Sequence, residues 1–146
     1  MVYRPVKRLL DLIASALLMV LTRFTGPTDP RILSTIERIQ KELISDTLVS
    51  RYNPALAADD GFGDQEGTFS MCSFWLVEAM ARAGRLEEAR LILEKMLTYA
   101  NHVGLYAEEI GATGEALGNF PQAFTHLSLI SACYNLDRAL NGTLYG

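Results

Sequence analysis

The spacing of apolar residues predicts a helix in the later part of the chain's first third. Across residues 32–44, apolar side chains recur three and four positions apart, while Glu, Arg and Lys occupy the opposite face. This is the pattern of an amphipathic helix with one buried side. Thr28 or Asp29 can cap its N-terminus, with Pro30 in the first turn.

The same criteria predict three further helices downstream. Residues 68–83 are almost continuously apolar, and Gly84 is suited to end that helix. Residues 86–100 are again amphipathic. A last helix is expected after Asn119, which can cap it with Pro121 in the first turn, and its apolar residues continue to position 140.

The N-terminal stretch 9–21 is apolar and follows three basic residues. A signal peptide and a membrane anchor are the alternatives to a core helix here. The stretch contains Asp11, is shorter than the roughly 20 residues that span a bilayer, and precedes no small-residue cleavage site. A buried helix in a cytoplasmic protein without a membrane partner is therefore the expectation.

Two long connections separate these helices. Residues 46–66, with a short extended piece at 48–52, and residues 101–118 are rich in Asp, Glu, Gly and Tyr. Loops of this length are usually functional or disordered. The sequence thus predicts one all-α domain over residues 1–146, with five to six helices in antiparallel pairs and both long loops at one rim.

Composition narrows the class of function. Hydrophobic residues make up 49% of the 146 residues, enough for a core, and the net charge of −4 gives no broad basic surface for nucleic acid. The two cysteines, Cys72 and Cys133, belong to no metal-binding or disulfide pattern. We therefore expect no metal, no cofactor and no nucleic-acid partner.

A helical-repeat protein is the alternative to an enzyme. Residues 84–89 resemble the start of the second helix in a tetratricopeptide repeat, and residues 118–123 follow at its 34-residue period. The stretch 102–117 between them is rich in glycine and acids, where such a repeat would need a helix. A non-catalytic interaction module of this type is the second hypothesis.

Four ordered segments carry a more specific resemblance. Residues 66–79, EGTFSMCSFWLVEA, are followed by AGRLEEA, then by NHVGLYAEE at 101–109 and GNFPQAFTH at 118–126. This series resembles bacterial glycoside hydrolase family 15, which contains glucoamylases, glucodextranases and trehalase-like enzymes. The resemblance covers roughly residues 9–138.

The resemblance implies a fold and a reaction. Family members fold as an (α/α)6 toroid of twelve helices and hydrolyse α-glucosidic bonds with inversion. Inversion uses two carboxyl groups, one as general acid and one as general base. The match places the general base on Glu108. This chain resembles the C-terminal part of such a toroid, and it lacks the family's Trp-Glu motif that carries the general acid.

The resemblance also suggests substrate-binding residues. Phe69 and Tyr106 are candidates to stack on a sugar, since pyranose rings offer apolar faces to aromatic side chains. Glu66 can bond sugar hydroxyls, and Glu109 is expected to support Glu108 or bind sugar. Without the flanking match, Glu108 and Glu109 would be taken as solvated loop acids.

These features predict a protein that is inactive alone. Its substrate would be an oligosaccharide or disaccharide of glucose, and the particular linkage is left open. The acid half would come from a separate chain, or two copies would associate through an exposed apolar seam. A truncated gene product is the third possibility.

Overall fold

The computed structural model describes residues 25–52 and 67–143. Within them lie four helices: α1 (Pro30–Leu43), α2 (Ser70–Arg82), α3 (Leu86–Leu97) and α4 (Ala123–Leu140). The five short strands are β1 (Ile44–Ser45), β2 (Leu48–Val49), β3 (Thr68–Phe69), β4 (Glu109–Ile110) and β5 (Ala116–Leu117). The predicted helix at residues 9–21 lies outside the described residues.

Helix α1 confirms the prediction from apolar spacing. The Asp29 carboxylate accepts a hydrogen bond from the Arg31 backbone N–H at 2.9 Å and caps the helix. The Arg31 side chain also donates to Asp29, which holds the pKa of that carboxyl well below its ordinary range. The apolar face is buried along its length: Ile32, Ile36, Ile39 and Leu43.

The segment after α1 contains the predicted extended piece. Strand β2 pairs antiparallel with β1, with Ile44 opposite Val49 and Ser45 opposite Leu48. Ile44 therefore opens a strand and does not extend the helix. The Val49 backbone N–H donates to Ser73 Oγ on α2 at 2.9 Å, so this hairpin is fixed against the second helix.

Helices α2 and α3 form a helical hairpin with the predicted glycine joint. Gly84 has a φ of +81°, a left-handed conformation that glycine adopts without steric cost. The next residue, Arg85, donates its backbone N–H to Met80 O at 2.9 Å and closes the end of α2. Helix α3 ends at Leu97, three residues before the expected end at Ala100.

The prediction that residues 101–118 are a long loop is wrong in part. Strands β3, β4 and β5 form a three-stranded antiparallel sheet, which also takes Thr68 and Phe69 out of the predicted helix. Strands of two residues are too short to show a period in the sequence. The same sheet counts against a tetratricopeptide unit, since the described chain has no helix between Leu97 and Ala123.

The predicted start of the last helix is also wrong. Helix α4 begins at Ala123, and the Gln122 side chain caps it by accepting from Thr125 N–H at 3.1 Å. Asn119 and Pro121 lie before the helix. Asn119 is four positions before the helix, and its side-chain amide donates to Glu108.

Helices α2 and α4 run parallel and begin at the same end of the molecule. The Ser70 backbone N–H donates to Glu108 O at 3.0 Å, and Gln122 N–H donates to Tyr106 O at 3.1 Å. The return helix α3 packs against both. This alternation agrees with part of an α/α toroid, although the small sheets are additional to an all-α fold. No described helix is long and apolar enough to span a membrane.

Candidate active site

The three-stranded sheet lies at the N-terminal ends of α2 and α4 and carries two acidic side chains. Glu109 in β4 is opposite Phe69 in β3 on one side and Leu117 in β5 on the other. Glu108 directly precedes β4, and its carbonyl accepts the hydrogen bond from the first residue of α2. Pairing between distant parts of the chain thus brings residues 69, 108 and 109 together.

The Glu108 carboxylate is held by one neighbour, Asn119. Oε2 accepts from Asn119 Nδ2 at 2.8 Å and from the Asn119 backbone N–H at 3.1 Å. The Glu108 backbone N–H returns a bond to Asn119 O at 2.9 Å. The side chain is half-buried. Oε1 accepts no hydrogen bond from residues 25–52 or 67–143.

The neighbouring Glu109 carboxylate makes a different contact. Its Oε2 accepts from the Gly67 backbone N–H at 2.9 Å, across the β3–β4 pair. The two acids therefore bond to segments on opposite sides of β4, since Gly67 precedes β3 and Asn119 follows β5.

Two glycines leave room for these carboxylates. A Cβ at Gly118 would lie 2.9 Å from Glu108 Oε2, and Gly118 has a φ of +71°. A Cβ at Gly67 would lie 3.0 Å from both the Cβ and Oε2 of Glu109. Real Cβ atoms do not approach neighbours this closely without displacing them. Each acid is thus packed against a position where the chain has no side chain.

Phe69 is the predicted aromatic residue that lies beside the acids. It is half-buried, and the Arg51 guanidinium lies 4.6 Å from its ring centroid. Such a cation–π contact covers one face of the ring. The geometry therefore allows a second group to contact Phe69 only from the remaining face or edge.

Tyr106 lies in the core, with 2% of its surface exposed. Its ring makes edge contacts with Phe74 and His126, at centroid distances of 5.6 Å and 5.8 Å. Burial is the main cause that raises the pKa of the Tyr106 hydroxyl, and Cys133 raises that pKa further. This placement favours a packing role, in which Tyr106 supports the segment that bears Glu108.

The remaining predicted site residue, Glu66, lies outside the described residues, as does most of the long loop at residues 46–66. The long loop at residues 101–118, by contrast, contains Glu108 and Glu109. In residues 25–52 and 67–143, no group of three or more His, Cys, Asp or Glu side chains is placed to hold a metal ion.

Asn119 and the two glycines were not predicted as parts of the site. By local sequence Asn119 is a helix cap, because Asn followed by Pro two residues later is a common helix start. Gly118 is one of several glycines in residues 101–118, and nothing in its immediate sequence distinguishes it from the others. No local signal pairs Asn119 with a residue eleven positions earlier.

The arrangement suits proton transfer from water. A half-buried carboxylate whose Oε2 is fixed by two donors keeps its orientation, while Oε1 can accept a proton from a bound water. A general base requires this combination of fixed direction and access. Among the described residues, Glu108 has that combination.

Comparison with known proteins gives a consistent result. The family model for glycosyl hydrolases family 15 matches residues 7–134. The trehalase of Mycobacterium tuberculosis is 50% identical over 127 residues, which cover 86% of this chain and 18% of that protein. The trehalase of Mycolicibacterium smegmatis is 51% identical over 127 residues, or 86% of this chain and 19% of that protein.

A more distant relative also matches most of this chain with a small part of its own length. The trehalase of Thermoplasma volcanium is 43% identical over 129 residues, covering 87% of this chain and 20% of that protein. The chain thus spans about a fifth of the length of the curated relatives it matches. The comparison with solved structures gave no significant match.

Proposed function

The chain belongs to glycosyl hydrolases family 15, and on that premise we propose that it supplies the general base of a glycosidase acting on α-glucosidic bonds. Glu108 takes a proton from water as that water attacks the anomeric carbon. The glycosidic oxygen leaves from the opposite side and is protonated by a general acid, with inversion at the carbon.

The observation that carries this proposal is the environment of the Glu108 carboxylate. Two donors of Asn119 hold Oε2, at 2.8 Å and 3.1 Å, while Oε1 accepts no hydrogen bond from the described residues. A solvated surface acid would not need a glycine with positive φ beside it, as Glu108 has in Gly118. Orientation by the protein is what a general base needs for efficient proton transfer.

We further propose trehalose as the first substrate to test. The relatives that match this chain at 50% and 51% identity are named trehalases. Phe69, Glu66 and Glu109 are the proposed contacts to the sugar. Phe69 would contact the sugar with the ring face that Arg51 leaves uncovered. Glu109 would bind the sugar while its Oε2 accepts the hydrogen bond from Gly67.

The general acid would come from outside residues 1–146, which contain no Trp-Glu motif. We propose one face of α4 as the surface for such a partner, because apolar side chains along it are exposed: Phe124, Leu127, Ile130 and Tyr134. Contiguous exposed apolar residues of this kind mark association surfaces. Either a complementary chain or a second copy of this one would bury them.

The decisive experiment places this chain in a complete enzyme. In the trehalase of Mycolicibacterium smegmatis, the matching segment is replaced by the residues of this chain, and release of glucose from trehalose is measured. We expect the chimera to hydrolyse trehalose. Its Glu108→Gln variant should lose at least about 100-fold in kcat, within the range typical of a general base.

Azide separates loss of the base from loss of the fold. In a Glu108→Ala chimera, azide can attack the anomeric carbon as the glycosidic oxygen leaves, and it needs no base because it carries no proton. We expect azide to restore cleavage with formation of a glucosyl azide. The full 146-residue chain alone should not hydrolyse trehalose.

Three results would contradict the proposal. A folded chimera without activity would exclude this chain as a working part of the enzyme. Full activity in Glu108→Gln would exclude Glu108 as the base. Hydrolysis by the purified 146-residue chain alone would show that no external acid is required.

A further inference from the structure

We infer that Asn119 is a positioning residue for Glu108, which fixes Oε2 so that Oε1 is the oxygen that receives the proton from water. The inference rests on the proposed function and deepens it by assigning different tasks to the two carboxylate oxygens. Its basis is the set of contacts between Asn119 and Glu108.

Asn119 contacts Glu108 through three hydrogen bonds. Its Nδ2 and its backbone N–H both donate to Oε2, at 2.8 Å and 3.1 Å, and its carbonyl accepts the Glu108 backbone N–H at 2.9 Å. Two donors on one oxygen define the plane and the direction of the carboxylate. Hydrogen bonds to a charged acceptor are also stronger than those between neutral groups.

The backbone around Asn119 is built to permit this approach. Gly118, with a φ of +71°, turns the chain so that the Asn119 amide faces the carboxylate, and a Cβ at position 118 would contact Oε2 at 2.9 Å. Helix α4 starts only at Ala123 and uses Gln122 as its cap. Asn119 therefore lies outside the helix, where it can donate hydrogen bonds to Glu108.

The two oxygens consequently differ in their ability to accept a proton. Oε2 already accepts two hydrogen bonds, which occupy its lone pairs. Oε1 accepts none from the described residues. The water proton is therefore directed to Oε1, and a rotated carboxylate would lose this alignment.

The test uses the trehalase chimera and two variants of Asn119. Asn119→Ala removes the Nδ2 donor and leaves the backbone donor. We expect kcat to fall about 10- to 100-fold, the range for loss of a hydrogen bond to a charged group, with KM within about twofold. Asn119→Asp keeps the shape but places a second carboxylate beside Glu108, and a larger loss is expected.

Gln40→Ala is the matched control. Gln40 Nε2 also donates to a carboxylate, Glu88 Oε2, at 3.3 Å, but it does so between α1 and α3, away from Glu108. This variant should keep the kcat of the parent chimera. Circular dichroism and thermal unfolding of every variant verify that the fold is retained.

A double-mutant cycle distinguishes positioning from a general structural effect. In Glu108→Ala with azide, no carboxylate is left to be positioned, so adding Asn119→Ala should change the azide-dependent rate by less than about twofold. An equal loss in both backgrounds would overturn the inference, as would an unchanged kcat in both Asn119 variants. Retained hydrolysis in Glu108→Ala would instead contradict the proposed function itself.

Discussion

Glu78 and Arg82 form a buried ion pair one turn apart on α2. Arg82 Nη2 and Nε donate to Glu78 Oε1 at 2.7 Å and 2.9 Å, and the side chains are 4% and 9% exposed. Glu78 Oε2 also accepts from Ser131 Oγ on α4 at 2.5 Å. The pair therefore joins the two parallel helices whose N-terminal ends carry the candidate site.

Removing one charge of this pair should destabilise the fold strongly. Glu78→Gln deletes the negative charge that faces Arg82 in a buried environment, and breaking such a pair typically costs about 3–5 kcal/mol. We expect the free energy of unfolding, measured with urea, to fall by about 3 kcal/mol. Glu94→Gln is the control, because its partner Arg90 is 53% exposed and Glu94 57% exposed. A change below about 1 kcal/mol is expected there, and equal effects in both variants would contradict this account.

Gly118 should be more sensitive to substitution than a glycine of similar conformation elsewhere. Gly118→Ala incurs the cost of a left-handed backbone, about 1–2 kcal/mol, and also places a Cβ 2.9 Å from Glu108 Oε2. We expect lower stability and a lower kcat for trehalose in the chimera.

The control for Gly118 is Gly84, whose φ is +81° and whose added Cβ would meet nothing within 4 Å. Gly84→Ala should lower the melting temperature without lowering kcat. If both alanine variants left kcat unchanged, the close approach between Gly118 and Glu108 would have no part in the activity.

The thiol of Cys72 gives a prediction for high pH. Burial raises its pKa to about 11, while the charge of Arg51 opposes that effect. The folded state therefore favours the neutral thiol. Its contribution to the free energy of unfolding is fully present below the ordinary thiol pKa of 9.0 and is lost as the pH rises to about 11.

The corresponding measurement is urea unfolding at pH 8 and pH 11. We expect the wild-type chain to lose about 2 kcal/mol more than Cys72→Ala over this interval. The Cys72 thiol should also react slowly with iodoacetamide at pH 8 until the chain is unfolded. Equal pH dependence in the two proteins would show that Cys72 does not titrate with folding.

The exposed face of α4 predicts association of the isolated chain. Phe124, Leu127 and Ile130 are 68%, 61% and 64% exposed. Light scattering coupled to gel filtration should show a mass that rises with protein concentration, and Leu127→Glu with Ile130→Glu should reduce it. The control is Leu91→Glu, which changes an exposed leucine on a different helix, α3, and should have a smaller effect. A monomer at every concentration would contradict this prediction.

Several features of this protein follow directly from the sequence. The apolar periodicity predicts α1, the presence of α2 and the glycine joint to α3, because those elements are specified by residues close together in the chain. The ordered segments around Glu108 indicate the family by resemblance, and the family model bears this out over residues 7–134.

Only the tertiary structure decided how the candidate site is built. The sheet that pairs Phe69 with Glu109 joins residues forty positions apart, and strands of two residues leave no periodic signal. The bond from Asn119 to Glu108, the burial of Tyr106 and the pairing of Glu78 with Arg82 likewise depend on which surfaces meet. Local sequence specifies the helices because their hydrogen bonds are local. It does not specify these contacts, because their free energy arises only when distant segments pack together.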